Sequence, residues 1–153
     1  MVKKCFETRI DNVIPLIVFT SLRMEAWADN HVFKQFGLTS ASFRIMALID
    51  RLGPSSPSRM IELLGSSKSN LTQRLGFMLR AGLVKKNKEG EDGRRVVVAL
   101  TSSGKQKYRS AFRIAKQYND RLQSLFNDKE LEAYFAFMEK LNFNFWENRI
   151  FSR

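Results

Sequence analysis

Hydrophobic residues recur along most of this chain at separations of three and four, and one segment instead carries a run of β-branched residues. Separations of three and four place apolar side chains on one face of a helix, whereas a short β-branched run is typical of a strand. Gly37, Gly53, Gly65 and Gly82 each follow such a helical pattern and are expected to end a helix. The pattern predicts six helices, with two strands between the fourth and the fifth.

A long first helix is predicted between Arg9 and Phe36, because apolar residues recur there without an internal glycine. Asp11 or Asn12 is the expected N-terminal cap of this helix. Either choice puts Pro15 in the first turn, where the missing backbone N–H does little harm. One uninterrupted helix is therefore expected to open the chain.

Three shorter helices follow, and each begins after a side chain that is suited to capping. Thr39 is expected to cap the second helix, and Ser56 the third, with Pro57 at its first position. Either Ser66 or Ser67 caps the fourth helix. Its expected inner face consists of Leu71, Leu75 and Met78, with Leu79 beside it. Short helices separated by glycine and serine breaks are typical of a helix-turn-helix.

Strand-like segments are predicted at 83–88 and 95–100, and residues 89–93 between them have the composition of a hairpin turn. Thr101 is then expected to cap a fifth helix. Asn127 and Glu130 have the spacing of a capping box and predict the start of a sixth helix. The sixth helix carries apolar residues on more than one face, which indicates packing against something besides its own subunit.

The charge of the chain limits the class of partner. Lysine and arginine number 26 against 15 acidic residues, which gives a formal net charge of +11. A protein with this positive charge attracts polyanions. Nucleic acid, an anionic membrane and an acidic protein are each a possible partner of this kind. The longest apolar run, at 13–19, contains Pro15 and is far shorter than the ~20 residues that span a bilayer. We therefore expect a cytoplasmic protein with no membrane partner.

The sequence contains none of the common sequence motifs of enzymes or metal sites. One histidine, His31, and one cysteine, Cys5, cannot make the commonest zinc sites. Gly-rich phosphate loops and nucleophile motifs are also missing from the sequence. No catalytic residue, metal ligand or cofactor is therefore predicted. The 13 phenylalanines are many for 153 residues, which favours a subunit interface that covers some of them.

Three stretches of this sequence resemble the MarR family of transcriptional regulators. They are LTSASFR at 38–44, SKSNLTQRLGFMLRAGLV at 67–84 and DGRRVVVALTSSG at 92–104. The third stretch is similar to the family's wing signature and is the most specific of the three. Gly76 and Phe77 depart from the pattern inside the fourth helix, where a glycine costs ~1 kcal/mol relative to alanine.

The resemblance implies a fold that is mainly α with a small β-hairpin wing (α+β) in a single domain over residues 1–153. A winged helix-turn-helix at about 38–100 would be flanked by dimerisation helices at about 6–36 and 101–150. It also implies a homodimer that binds a pseudo-palindromic operator in double-stranded DNA, represses transcription by occluding it, and associates with the nucleoid. The alternative is a winged-helix module for protein or nonspecific nucleic-acid binding.

Candidate DNA-binding residues lie on the fourth helix and on the wing. Short polar side chains on the outer face of that helix are of the kind that hydrogen-bond base edges in a major groove. An arginine on a ribbon can enter a minor groove, and Asp92 is expected to hold such an arginine by a charge-assisted hydrogen bond. The candidates are Lys68, Ser69, Asn70, Thr72, Gln73, Lys88, Arg94 and Arg95. A solvated helix face and ordinary turn chemistry are the alternatives.

In the family, ligands often bind between the dimer helices and the winged region, so the resemblance also implies a cleft for a small-molecule effector. Candidate lining residues are Phe19, Arg23, Trp27, Met46 and Phe112. These side chains can equally form part of the core, and the sequence leaves both interpretations open.

Overall fold

The structure, a computed structural model, describes residues 13–89 and 95–146. Within those ranges the order of elements is α1 (Val13–Ala28), α2 (Ser40–Leu52), α3 (Pro57–Leu64), α4 (Lys68–Arg80), β1 (Val84–Glu89), β2 (Arg95–Leu100), α5 (Ser102–Gln123) and α6 (Asp128–Trp146). The predicted order of helices and strands is confirmed. The chain groups into two compact units, Met1–Arg113 and Ile114–Arg153, whose boundary falls inside α5. The expected single domain and its dimerisation helices stay predictions.

The end of the first helix differs from the uninterrupted helix that the sequence predicts. After α1 the chain forms a π-helical turn, Asp29–Phe33, and a 3-10 turn, Lys34–Phe36. Gly37 then ends the helical segment with a left-handed φ of 62°. The predicted stop is therefore confirmed, whereas the change of helix type has no signal in the spacing of apolar residues. The expected caps Asp11 and Asn12 lie outside the described residues.

The π-helical turn holds a carboxylate against the start of α2. Asp29 Oδ1 accepts hydrogen bonds from both the backbone N–H and the hydroxyl of Ser40. Ser40 is the first residue of α2 and is buried. The first N–H groups of a helix have no partner within the helix, and a carboxylate there also opposes the positive end of the helix dipole. Asp29 therefore fastens the end of the first helical segment to α2.

Replacing Asp29 with alanine is expected to lower the free energy of unfolding by about 2 kcal/mol, because two hydrogen bonds to a charged group are lost and the buried Ser40 hydroxyl loses an acceptor. Urea denaturation followed by circular dichroism measures the change. Glu62→Ala, which also removes a carboxylate but at an exposed position, is the matched control. Equal denaturation midpoints for the two variants would contradict the assigned role.

The caps of the three short helices form as the sequence predicts. The Thr39 hydroxyl accepts from the Ser42 N–H, and the Ser42 hydroxyl accepts from the Thr39 N–H. The Ser56 side chain accepts from the Arg59 N–H at the start of α3. Of the two serines proposed for α4, Ser67 is the cap and accepts from the Asn70 N–H at 3.2 Å.

One core lies beneath the helix-turn-helix and the hairpin. The largest fully buried side chains come from α2, α3, α4, β2 and the residue before β1, and they are Ile45, Met46, Met60, Leu71, Met78, Leu83 and Val98. The predicted inner face of α4 is confirmed. The spacing of apolar residues also predicts that Leu52 of α2 and Leu63 of α3 face inward, and this prediction is wrong, because each is 42% exposed. Among the residues of α3 only Met60 is buried, since a helix of two turns offers the core little more than one side chain.

The hairpin is antiparallel, with Val84 opposite Leu100 and Glu89 opposite Arg95. Ser55 forms an additional bridge to Val98: its N–H donates to the Val98 oxygen at 3.1 Å, and its oxygen accepts at 2.9 Å. This bridge ties the segment between α2 and α3 to β2. The predicted turn falls mostly on residues 90–94, which lie outside the described residues.

The first turn of α5 packs directly against the end of the helix-turn-helix. The Thr101 hydroxyl accepts from the Gly104 N–H at 2.9 Å, as its predicted cap role requires, and donates to the Gly82 oxygen at 2.6 Å. Gly104 is buried, and a Cβ placed on it would overlap the backbone carbonyl of Leu83. The glycine therefore permits a close approach between two backbone segments.

The second unit consists of the C-terminal part of α5, the turn that follows it, and α6. The predicted capping box is confirmed: the Asn127 N–H donates to Glu130 at 2.9 Å, and the Glu130 N–H donates to Asn127 at 3.1 Å. None of the α6 side chains that the structure describes is buried. Several large apolar side chains of this helix are at least 44% exposed, namely Tyr134, Phe135, Phe137 and Phe143.

Candidate nucleic-acid interface

The helix α4 has one buried face and one exposed polar face. Leu71, Leu75 and Met78 are at most 4% exposed and fix the inward side of the helix. The five candidates that the sequence places on this helix are all exposed, namely Lys68, Ser69, Asn70, Thr72 and Gln73. The structure therefore brings them together on accessible surface, with short hydroxyl and amide groups that can hydrogen-bond base edges.

The middle of the exposed face is a stripe of residues separated by four, three and four positions. The stripe consists of Ser69, Gln73, Gly76 and Arg80. Arg80 and the neighbouring exposed Phe77 are absent from the candidates that the sequence analysis selects, although their helical spacing from Gln73 would have identified them. The whole helix contains no acidic residue. Its outer surface is therefore suited to an anionic partner.

A cavity of about 490 Å³ lies between the start of α3 and the edge of β2. It is lined by Pro54, Ser55, Ser56, Pro57, Ser58, Arg59, Arg95, Val96 and Val97. Its charged lining residues are both arginines, and the N-terminal end of α3 adds the positive end of a helix dipole. A phosphate group has the charge and the acceptor atoms to occupy such a cavity.

The sequence predicts one of the two arginines of this cavity as a DNA-binding residue and does not predict the other. Arg95 is a candidate from the wing motif, and the structure places it, exposed, at the first position of β2. Arg59 was missed, because the sequence alone does not show that α3 begins beside the wing. The bridge between Ser55 and Val98 produces this proximity.

On the other strand of the hairpin, Lys85, Lys86 and Lys88 are exposed. Lys88 lies opposite Val96 in the strand register, one position from Arg95 on the neighbouring strand. Arg94 and the supporting carboxylate proposed at Asp92 lie outside the described residues, as does the tip of the wing. The described base of the wing is therefore cationic on both strands.

The residues proposed for a ligand cleft occupy two environments. Met46 is fully buried beneath the helix-turn-helix, whereas Phe19, Trp27 and Phe112 are 55%, 44% and 49% exposed. Arg23 is also exposed. None of the five lines the cavity beside α3. A cleft formed by these residues stays a prediction.

A chain of aromatic rings connects the end of the first helical segment with α5. Ring centroids are 4.6 Å apart between Phe33 and Phe43, 5.2 Å between Phe43 and Tyr108, and 5.9 Å between Tyr108 and Phe112. Burial, and then the negative charge of Asp50, raise the pKa of the Tyr108 phenol above its ordinary value. The phenol is therefore neutral near pH 7, which suits its place between two hydrocarbon rings.

No helix of the described ranges combines the length and the apolar character that crossing a membrane requires. In the same part of the chain, histidine, cysteine and acidic residues do not gather into a group of three or more that could hold a metal ion.

The arrangement of α3, α4 and the hairpin defines the class of protein. Two helices joined by a turn of three residues, followed directly by an antiparallel hairpin, form a winged helix-turn-helix. The exposed polar face of its second helix and the cationic base of its hairpin are the two parts of the candidate interface.

Comparison with known proteins identifies the family. A profile of the MarR family matches residues 36–95. The chain is 25% identical over 114 residues to the uncharacterized HTH-type transcriptional regulator YwoH of Bacillus subtilis. This alignment covers 74% of this chain and 82% of YwoH. The winged helix-turn-helix of this chain therefore matches the MarR family of transcriptional regulators.

Solved structures have the same fold. A MarR/EmrR family transcriptional regulator from Acinetobacter sp. ADP1 superposes with a TM-score of 0.82 at 19% identity, covering 91% of this chain and 99% of that one. A MarR mutant from E. coli in complex with operator DNA superposes with a TM-score of 0.75 at 19% identity, covering 88% and 99%. At this level of identity the likeness concerns the fold.

Proposed function

We propose that this MarR-family regulator is a homodimer that binds a pseudo-palindromic operator in double-stranded DNA and represses transcription by occluding it. The observation that carries the proposal is the exposed, acid-free polar face of α4 beside the cationic base of the wing. The fold shared with the E. coli MarR mutant that was solved in complex with operator DNA supports double-stranded DNA as the partner.

Base reading is assigned to α4. Thr72 and Gln73 present a hydroxyl and an amide on exposed surface, and such groups can hydrogen-bond base edges in the major groove. Lys68 and Asn70 lie in the first turn, where the free N–H groups of the helix favour a phosphate. Ser69 completes the polar first turn, and its hydroxyl is 3.1 Å from that of Ser67.

Backbone contacts are assigned to the wing and to the cavity beside it. Arg59 and Arg95 line the cavity that has the charge to hold a phosphate, and Lys88 extends the cationic surface along β1. We assign Arg94 to the minor groove and Asp92 to its support, as the wing motif implies. Contacts of this kind fix the register of a protein on DNA, whereas base contacts supply the sequence preference.

The dimer is proposed from exposed apolar surface. Monomeric soluble proteins rarely leave large contiguous apolar patches in water. On α1, Ile14 is 61%, Phe19 55% and Leu22 57% exposed, and on α6 Phe135 is 56% exposed. A second copy of the chain would cover such residues. A two-fold dimer would set the two recognition helices about one helical turn of DNA, ~34 Å, apart.

Control by a small-molecule effector completes the proposal. The effector would bind near the exposed side chains of Phe19, Arg23, Trp27 and Phe112 and the buried Met46, and would release the operator. Exposed aromatic rings next to a cationic side chain suit an aromatic or acidic ligand.

Selection from random duplexes followed by competitor titration tests the proposal. We expect one pseudo-palindromic sequence to be bound with at least ~10³ times the affinity of random DNA, since specific sites typically exceed nonspecific DNA by that factor or more. The mass of the complex should correspond to two chains for each duplex. Binding without sequence preference would instead support the alternative of a nonspecific nucleic-acid or protein-binding module, and one chain per duplex would contradict the dimer.

A further inference from the structure

Two neighbouring residues on the outer side of α4, Gly76 and Phe77, are unlike the polar residues around them. Gly76 lies between Gln73 and Arg80 on the exposed stripe opposite the buried face. Phe77 is next to the stripe and is 50% exposed.

No contact with the residues that the structure describes explains the glycine. Gly76 has no positive φ, so its backbone conformation is open to any residue. A Cβ placed there would meet only the end of the flexible Arg80 side chain, at an ordinary distance of 3.5 Å. Alanine would fit the space and favour the helix. The glycine therefore serves something outside the chain, and close approach of a helix backbone to a ligand is one of the main uses of glycine.

The phenylalanine beside this opening is apolar in an otherwise polar surface. Half of its side chain is accessible, whereas the residues one turn away on either side, Gln73 and Arg80, are polar and exposed. An isolated exposed apolar residue needs no explanation in general. Here, however, it borders the position at which the helix has no side chain, so a surface that enters the opening also contacts the ring.

The charge of α4 indicates which kind of molecule enters the opening at Gly76. The helix contains Lys68, Arg74 and Arg80 and no acidic residue. An acid-free cationic helix favours a polyanion over a neutral protein surface. In the major groove of DNA, the exposed apolar group is the 5-methyl group of thymine, and phenylalanine is among the side chains that contact it.

We propose that Gly76 and Phe77 together read a thymine in each operator half-site: Gly76 lets the helix backbone approach the floor of the major groove, and Phe77 contacts the thymine 5-methyl group. This inference rests on the proposed operator binding and adds a base preference to it. It also extends base reading from Thr72 and Gln73 toward the C-terminal half of α4.

Uracil substitution in the selected operator tests the contact, because uracil differs from thymine only by the missing methyl group. Each thymine of a half-site is replaced in turn, symmetrically in both halves. At one position we expect the affinity of the wild-type protein for the operator to fall about fourfold for each half-site. This factor corresponds to the free energy of burying one methyl group. In the Phe77→Ala variant the same replacement should have no effect. Leu52→Ala, which truncates a comparably exposed side chain on α2, is the control and should keep the full uracil effect.

The Gly76→Ala variant tests the close approach with two readouts. Its melting temperature should rise by about 3 °C, because alanine favours the helix, while its affinity for the operator falls at least about tenfold, as a displaced recognition helix loses base contacts. The rise in melting temperature excludes misfolding as the cause of weaker binding. Wild-type affinity in Gly76→Ala would overturn the close approach.

The outcomes separate this inference from the proposed function. If the protein binds a specific operator but no thymine responds to uracil, the inference is wrong and operator binding stands. If the uracil effect persists in Phe77→Ala, Phe77 is not the reader, and the inference is again wrong. If selection yields no preferred sequence, operator binding itself fails, and the inference fails with it.

Discussion

Replacing Gly104 with alanine is expected to leave little folded protein. The added methyl group would overlap the carbonyl group of Leu83, with only 2.9 Å to its carbonyl carbon, and neither a Cβ atom nor a backbone carbonyl can rotate away. The same carbonyl oxygen accepts a hydrogen bond from the Thr101 N–H at 3.1 Å. A movement of Leu83, the residue before β1, would therefore also break this hydrogen bond at the start of α5. We expect a loss of at least about 3 kcal/mol, a large part of the stability of a typical domain.

Circular dichroism and thermal denaturation of purified Gly104→Ala measure this loss. Ser103→Ala is the matched control, because it adds no atom, lies one residue away and is exposed in the same helical turn. The control should melt close to the wild-type temperature. A cooperative transition of Gly104→Ala near that temperature would contradict the close backbone packing.

The start of α5 also illustrates what the sequence could predict. Thr101 was recognised as a cap because capping depends on a residue and its next few neighbours. The same holds for Thr39, Ser56 and the Asn127–Glu130 pair, all of which the structure confirms. Gly104 carries no such local signal, since the group that excludes a side chain there is Leu83, which lies 21 positions earlier in the chain.

Contacts between distant segments account for the other features that the sequence missed. The carboxylate of Asp29 reaches Ser40 only because a π-helical turn redirects the chain, and π-helical turns leave no clear trace in apolar spacing. The bridge from Ser55 to Val98 is a single residue long, too short for a strand pattern. Each of these contacts joins elements that local propensity predicts separately.

The candidate interface also has one part that the sequence predicts and one part that depends on contacts between distant segments. The outer face of α4 could be predicted because Leu71, Leu75 and Met78 fix the inward side of the helix, and the exposed side then follows from helical geometry. The cavity between Arg59 and Arg95 could not, since it depends on the packing of α3 against β2. The sequence therefore identifies the helix that would read bases, and the structure adds the cavity that we propose to hold a phosphate.

Operator affinity is expected to fall ~10³ to 10⁵ fold when salt rises from 50 to 200 mM, if the dimer neutralises ~6 to 10 phosphates. The basis is the net charge of +11 together with exposed cations on α3, α4 and the hairpin. These cations are Arg59, Lys68, Lys85, Lys88 and Arg95. Each phosphate contact releases counterions from the DNA, so affinity depends on salt in proportion to the number of contacts.

The cavity beside α3 makes this prediction specific to particular residues. If Arg59 holds one phosphate in each subunit, Arg59→Ala should reduce the slope of log affinity against log salt by about 1.8, which is about 0.9 for each of two phosphates. Arg121→Ala, which removes an equal charge from exposed surface in the second unit, should leave the slope nearly unchanged. Equal slopes for these two variants would mean that net charge alone attracts the DNA, and that the cavity between α3 and β2 is not a phosphate site.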